Sequence, residues 1–235
     1  MLRVPNIVAT MLGVFALGLP LRPYALLPGQ PYYDYYNPIN RPPQLLDSVR
    51  INHLERAEAV LRTKDPNRLE GAAGDLRYVL DYFPNHPQAL SMMVNVALEW
   101  KKPQLIEKFL ADAIDTFPNT ASTWTIQGIY LARIGKTDRA IESYQRALSL
   151  KPDDMQTHYD IGLAYASKKQ WDLANEHAQV AYRLGAPFPG LKQMLVKAGA
   201  WKRAAGAEGG AGAPSTNQGS ESSQQPEAPL LDRKR

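Results

Sequence analysis

The chain has 235 residues, 44% hydrophobic and 21% charged, a balance that supports one packed core and argues against a disordered chain. The formal net charge of +4 is spread without a basic run, which argues against a nucleic-acid surface. There is no cysteine, which excludes a disulfide framework, a thiol nucleophile, cysteine-bound zinc and a lipidated cysteine.

The chain opens with MLRVPNIVATMLGVFALGLP, residues 1–20. Arg3 precedes an apolar stretch from Val4 to Leu19, and Ala16-Leu17-Gly18 offers a small-x-small cleavage site. That pattern predicts a secretory signal. The stretch is shorter than the roughly 20 residues of a usual membrane span, and an uncleaved anchor is the alternative. Either reading puts the remainder outside the cytoplasm of a bacterial cell, in the periplasm or anchored in the inner membrane and facing it. The only membrane contact expected is through this segment, if it is retained.

Residues 21–43 form a Tyr/Pro-rich linker whose centre is PYYDYYNPIN, from Pro31 to Asn40. Its prolines, with Pro42 and Pro43, exclude a helix. A polyproline-like path would put Tyr32 and Tyr35 on one face, and Tyr33 and Tyr36 on another. Three destinations are open for these rings: the chain's own groove or first helices, a membrane surface, or another protein. Gln44 to Arg62 then reads as one amphipathic helix, with Leu45, Val49, Leu54 and Ala57 near one face.

A repeat follows, and it dominates the sequence. Ala121 to Asp154 is a 34-residue unit with Trp124, Gly128, Ala140, Tyr144, Ala147 and Pro152 at positions 4, 8, 20, 24, 27 and 32. Stepping by 34 gives His53–His86, Pro87–Thr120 and Met155–Phe188 in the same register. Gly162, Ala174 and Ala181 recur in the last of these. A turn repeats as Phe83-Pro84-Asn85, Phe117-Pro118-Asn119 and Lys151-Pro152-Asp153. This pattern resembles the tetratricopeptide repeat. The resemblance implies an all-α, right-handed superhelical solenoid of helical hairpins. It implies small residues at Gly128 and Ala140 where the two helices of a unit cross, and Trp124 and Tyr144 filling the space between units. Pro152 ends the second helix. Residues 189–202 read as a capping helix with Leu191, Met194, Leu195 and Ala198 at helical spacing. The array with its caps spans 44–203. Residues 204–235 are rich in Gly, Ala, Ser, Gln and Pro and read as a disordered tail.

No catalytic constellation is visible. There is no phosphate loop, and His53, His86, His158 and His177 contain no i, i+4 metal pair. No enzyme activity, cofactor, metal or small-molecule substrate is expected. Glu55 and Glu58 read as a solvated helix face, His158 as a core histidine, and Asp153-Asp154 as a helix cap.

The resemblance further implies that positions 2, 5, 9 and 12 of each first helix line a concave groove. These include Gln88, Ser91 and Asn95, then Thr125 and Ile129, then Gln156, Tyr159 and Leu163. Among all such positions only Lys64 is charged, and position 5 lacks the lysine of members that clamp a C-terminal carboxylate. A neutral groove of amides, hydroxyls and aliphatic carbon suits an extended peptide. The expected function is therefore a protein–protein interaction scaffold of the bacterial envelope, an accessory of pilus, secretion or export assembly. A periplasmic holding chaperone for extended client segments is the alternative.

Overall fold

The computed structural model describes residues 32–39, 43–63 and 65–202. The leader, Pro31, Lys64 and the tail from 203 lie outside the described residues, and so do the expectations attached to them.

The helices follow the predicted register. First and second helices alternate as α2 Glu55–Thr63 and α3 Leu69–Tyr82, α4 Pro87–Glu99 and α5 Gln104–Thr116, α6 Ala121–Arg133 and α7 Thr137–Leu150, α8 Met155–Ser167 and α9 Trp171–Arg183. Each of α4, α6 and α8 begins at the first position of its 34-residue unit. A short helix α1 (Pro43–Val49) precedes them and α10 (Gly190–Lys197) follows. The described residues are all-helical, a solenoid of stacked hairpins.

Local chemistry sets the boundaries. Pro87 occupies the first turn of α4, where its missing N–H costs nothing, and His86 Nδ1 accepts the Ala89 amide at 3.3 Å. Asp154 caps α8 by accepting the Thr157 amide at 3.0 Å, as expected of the Asp153-Asp154 pair. The turns inside the hairpins are also periodic. Lys101, Gly135 and Lys169, spaced by 34, all take positive φ, at 56°, 78° and 59°. Beyond them, Lys102, Lys136 and Gln170 donate amides to Ala97, Leu131 and Tyr165 carbonyls at 2.8, 2.8 and 3.0 Å. Each is a Schellman closure of the preceding helix.

The expected single helix from 44 to 62 is interrupted. Between α1 and α2 the chain makes a π-helical turn, Arg50–Leu54. Val49 and Leu54, both buried, are five residues apart, and the wider turn keeps them on one face.

Small residues mark the helix crossings. Ala140, Ala147, Ala174 and Ala181 have no exposed surface. A β-carbon on Gly128 would lie 2.4–2.8 Å from the Tyr144 ring. Tyr144 therefore packs on the glycine of its own unit, where the sequence had placed it between units. Trp124 does bridge units: its Nε1–H donates to the Pro118 carbonyl at 2.8 Å. His158 occupies the same repeat position. Its Nε2–H donates to the Pro152 carbonyl at 2.8 Å, which leaves Nδ1 to accept from His177 Nδ1–H at 2.9 Å. It is a structural histidine. Pro152 sits exposed at its turn. At the far end, Leu191 and Leu195 are fully buried, and Leu191 lies over Gly162. Met194 and Ala198 instead face solvent, so a narrower stripe of α10 does the capping.

Candidate functional site

The first helices present the predicted stripe, but its members divide into free and engaged. Gln88 and Ser91 on α4 are exposed, and Ile129 on α6 and Leu163 on α8 are half-buried. Thr125 is buried, with its hydroxyl 2.7 Å from that of Thr157 and 3.2 Å from the Ala121 carbonyl. It joins α6 to α8 and is not available to a ligand. Asn95 accepts from Arg133 at 2.5 Å, Gln156 donates to Asp160 at 3.0 Å, and the Tyr159 ring packs against Phe188 with centroids 5.2 Å apart. In the first unit Leu54 and Ala57 are buried.

The groove is also not neutral. Arg133 and Asp160 stand at positions 13 and 6 of their units, outside the four positions read from the sequence. Burial pushes the Asp160 carboxyl up to about 6, helped by the nearby Asp154 charge and opposed by the Gln156 amide and Arg133. Spacing could have found both residues. Asp160 follows Gln156 by four and precedes Leu163 by three, so it shares their helical stripe.

The tyrosine segment docks on the array. The Tyr33 amide donates to the Tyr82 carbonyl at 2.9 Å, satisfying an orphan acceptor at the end of α3. Its ring lies 5.7 Å from that of Phe83. Asn85 holds the next two residues: its Oδ1 accepts the Tyr35 amide at 2.9 Å and its Nδ2 donates to Asp34 at 2.7 Å. The Tyr35 ring packs at a tilt against His86 with centroids 4.3 Å apart, and Tyr36 reaches Ser122 of α6 at 2.7 Å. Tyr32 is exposed. The path is not polyproline-like throughout. The Asn37 amide closes a turn onto the Asp34 carbonyl at 3.1 Å, with the Asp34 side chain accepting the Tyr36 amide at 2.9 Å. Tyr33 and Tyr35 consequently face the array together. Of the three destinations, this chain's own array receives the rings: Tyr33 and Tyr35 at the turn between α3 and α4, and Tyr36 at the first helix α6. Burial beneath them lowers the His86 imidazole to about 4.

A pocket of about 510 Å³ opens beside this strap, bounded by Asp34 and Tyr36 on one side and by Phe117, Asn119, Ser122 and Lys151 on the other. Lys151 pairs with Asp154 at 2.8 Å. Burial would raise the Asp154 carboxyl, but Lys151 and the Thr157 hydroxyl and amide hold it below its ordinary value.

The family model for the TPR repeat matches residues 131–169. That stretch begins inside α6, includes all of α7 and ends beyond α8. That stretch is tetratricopeptide repeat, and the hairpins on either side of it repeat the same fold. The repeat fold recurs among solved structures. Pseudomonas aeruginosa pilF shares 20% identity over 65% of this chain and 70% of its own, with a TM-score of 0.52. An IFIT1 monomeric mutant with m7Gppp-AAAA shares 18% over 62% of this chain and 38% of its own, at 0.50. MamA shares 22% over 60% and 82%, at 0.44. At these identities the likeness to pilF and IFIT1 is one of fold. No curated protein sequence matches this chain.

On the opposite side of this tetratricopeptide array lies a second pocket of about 730 Å³, lined by His53, Gly71, Gly74, Tyr78, Leu105 and Phe109 among others. Its floor is open because nothing lies within 4 Å of a β-carbon at Gly71 or Gly74. Among the described residues no group of three or more His, Asp or Glu side chains could hold a metal ion. No described helix is long and apolar enough to cross a membrane.

Proposed function

We propose that this protein is a non-catalytic scaffold that grips an extended segment of a partner protein along the first-helix face of its tetratricopeptide array. One observation carries this reading: the array already holds a tyrosine-rich segment of its own chain, through backbone and ring contacts at the α3–α4 turn and through the Tyr36 hydroxyl on Ser122 of the first helix α6. Main-chain hydrogen bonds give grip while side-chain pockets give selectivity. The open part of the face, Gln88, Ser91, Ile129 and Leu163, supplies amide, hydroxyl and aliphatic surface. Arg133 and Asp160 add one charge of each sign.

The site of action we propose is the bacterial envelope, with the chain in the periplasm or held at the inner membrane through its first residues. The apolar stretch behind Arg3 supports this. Service to a pilus, secretion or export assembly is the narrower form of the proposal, resting on the arrangement of leader, repeats and tail.

The test is co-purification of partners from cells carrying Asn95→Arg or Ser91→Arg. The first puts a second guanidinium beside Arg133, and the second blocks the exposed floor of α4. Both are expected to lose the partner at unchanged melting temperature, while Arg77→Glu on α3 retains it. Retention of the partner by both groove variants would remove this face from the proposal.

A further inference from the structure

The strap shows how this array holds a peptide segment, and the array contains a second, uncovered copy of the turn that holds it. Phe83-Pro84-Asn85 and Phe117-Pro118-Asn119 are identical and one 34-residue repeat apart. The first is covered: Phe83 and Asn85 have no exposed surface beneath Tyr33 and Tyr35. At the second, Phe117 is half-buried and Pro118 and Asn119 are exposed. The 510 Å³ pocket lies on this second turn, and Tyr36 of the strap forms one wall of it.

The surroundings of the second turn add charge. The Arg146 guanidinium lies 3.4 Å from Asn119 Oδ1 and faces the Trp124 ring, and Lys151 lines the pocket. One repeat earlier these positions hold Asp112 and Phe117, so the first turn has no matching cations. The third turn, Lys151-Pro152-Asp153, lacks both the ring and the amide. The ring and the amide that grip the strap therefore occur twice, while His86 is replaced by Thr120 at the second copy. Lys151 there is paired with Asp154, so Arg146 is the cation that faces an incoming acid.

We propose that the Phe117-Pro118-Asn119 turn docks an aromatic–acid–aromatic segment of a partner protein that turns at its acid as the strap does at Asp34. The segment's carboxylate takes the place that Asp34 takes on Asn85: it accepts from Asn119 Nδ2 and pairs with Arg146. The preceding aromatic ring covers Phe117 as Tyr33 covers Phe83, and the following one enters the pocket against Tyr36. Charge-assisted contacts to Arg146 set the preference for aspartate or glutamate at the centre.

This inference rests on the array being a peptide-binding scaffold, but it uses the turn rather than the first-helix stripe. The probe is a labelled synthetic peptide, PYYDYYNPIN, titrated into the full chain by fluorescence anisotropy. Saturable binding is expected at one peptide per chain. Asn119→Ala combined with Arg146→Glu should weaken it at least tenfold, and so should a peptide whose aspartate is replaced by lysine. Asn119 and Arg146 are exposed, so the variant should melt as the parent does. Absence of saturable binding would overturn the proposal. So would binding that survives the double variant but is lost in Asn85→Ala, because the peptide would then be exchanging with the strap at the first turn. Neither result bears on the Ser91 and Asn95 variants, so the two readings fail separately.

Discussion

Gly128 has no room for a β-carbon, because the Tyr144 ring occupies that space at 2.4–2.8 Å. Tyr144 is itself buried, so its ring cannot swing into solvent. Gly128→Leu is expected to cost about 1–3 kcal/mol or more, overpacking a closed crossing, read as a lowered midpoint in thermal unfolding. Two titrating residues work in opposite directions. Asp160 has a folded pKa raised to about 6 from 3.8, so the folded chain binds the extra proton between those values. Its stabilisation is present below pH 4 and is lost as pH rises through 6. Asp160→Asn should therefore raise stability at pH 7, by on the order of 1–3 kcal/mol, and leave it little changed at pH 4. His86 is lowered from 6.5 to about 4, so here the unfolded chain binds the proton first. Its stabilisation is present above pH 6.5 and is lost as pH falls through 4. Acid should release Tyr35 from the imidazole. Tyrosine fluorescence followed from pH 7 to 4 should show that release, and His86→Asn should remove the transition while retaining a capping side chain. Residue-scale features were unevenly legible. Gly128 was readable because a crossing demands the smallest residue. Asp160 was missed because a four-position template stood in for the full helical stripe.

At the scale of elements, helix ends and interruptions decide stability. Lys101 and Lys169 hold left-handed conformations where the middle hairpin has Gly135. A residue with a β-carbon pays roughly 1 kcal/mol for that conformation. Lys101→Gly and Lys169→Gly are each expected to raise the unfolding midpoint by a few degrees in calorimetry. The capping helix acts through two side chains. Leu191→Ala and Leu195→Ala should each cost about 2–5 kcal/mol, as large-to-small changes at fully buried sites, measured by urea denaturation. Met194→Ala, at an exposed site, should change little. Helix existence was legible because the apolar spacing and the 34-residue period agree. The π-turn at Arg50–Leu54 was not, although the five-residue step from Val49 to Leu54 carried the signal. A template of 3.6 residues per turn treats such a step as noise.

At the scale of the whole molecule, a repeat array is quasi-one-dimensional: each hairpin contacts its neighbours and little else. The strap breaks that pattern. It joins residues 33–36 to the α3–α4 turn and, through Tyr36 and Ser122, to the next unit. Asn85→Ala removes both strap hydrogen bonds made by one side chain. The strap should then become protease-sensitive before the helices do, visible as early cleavage near Tyr35–Tyr36 by chymotrypsin. The sequence identified four tyrosines in need of a partner but could not choose among three, because the choice depends on Asn85 and His86, fifty residues away. Long-range docking of a short segment leaves no periodic trace. The central claim concerns the first-helix face, and it is tested most directly in living cells. A photo-crosslinking residue at Ser91, with Arg77 on the opposite face as control, should yield one discrete adduct to a foreign protein from Ser91 and none from Arg77. An adduct from Arg77 with none from Ser91 would contradict the account and move the working surface to the 730 Å³ pocket that Arg77 lines.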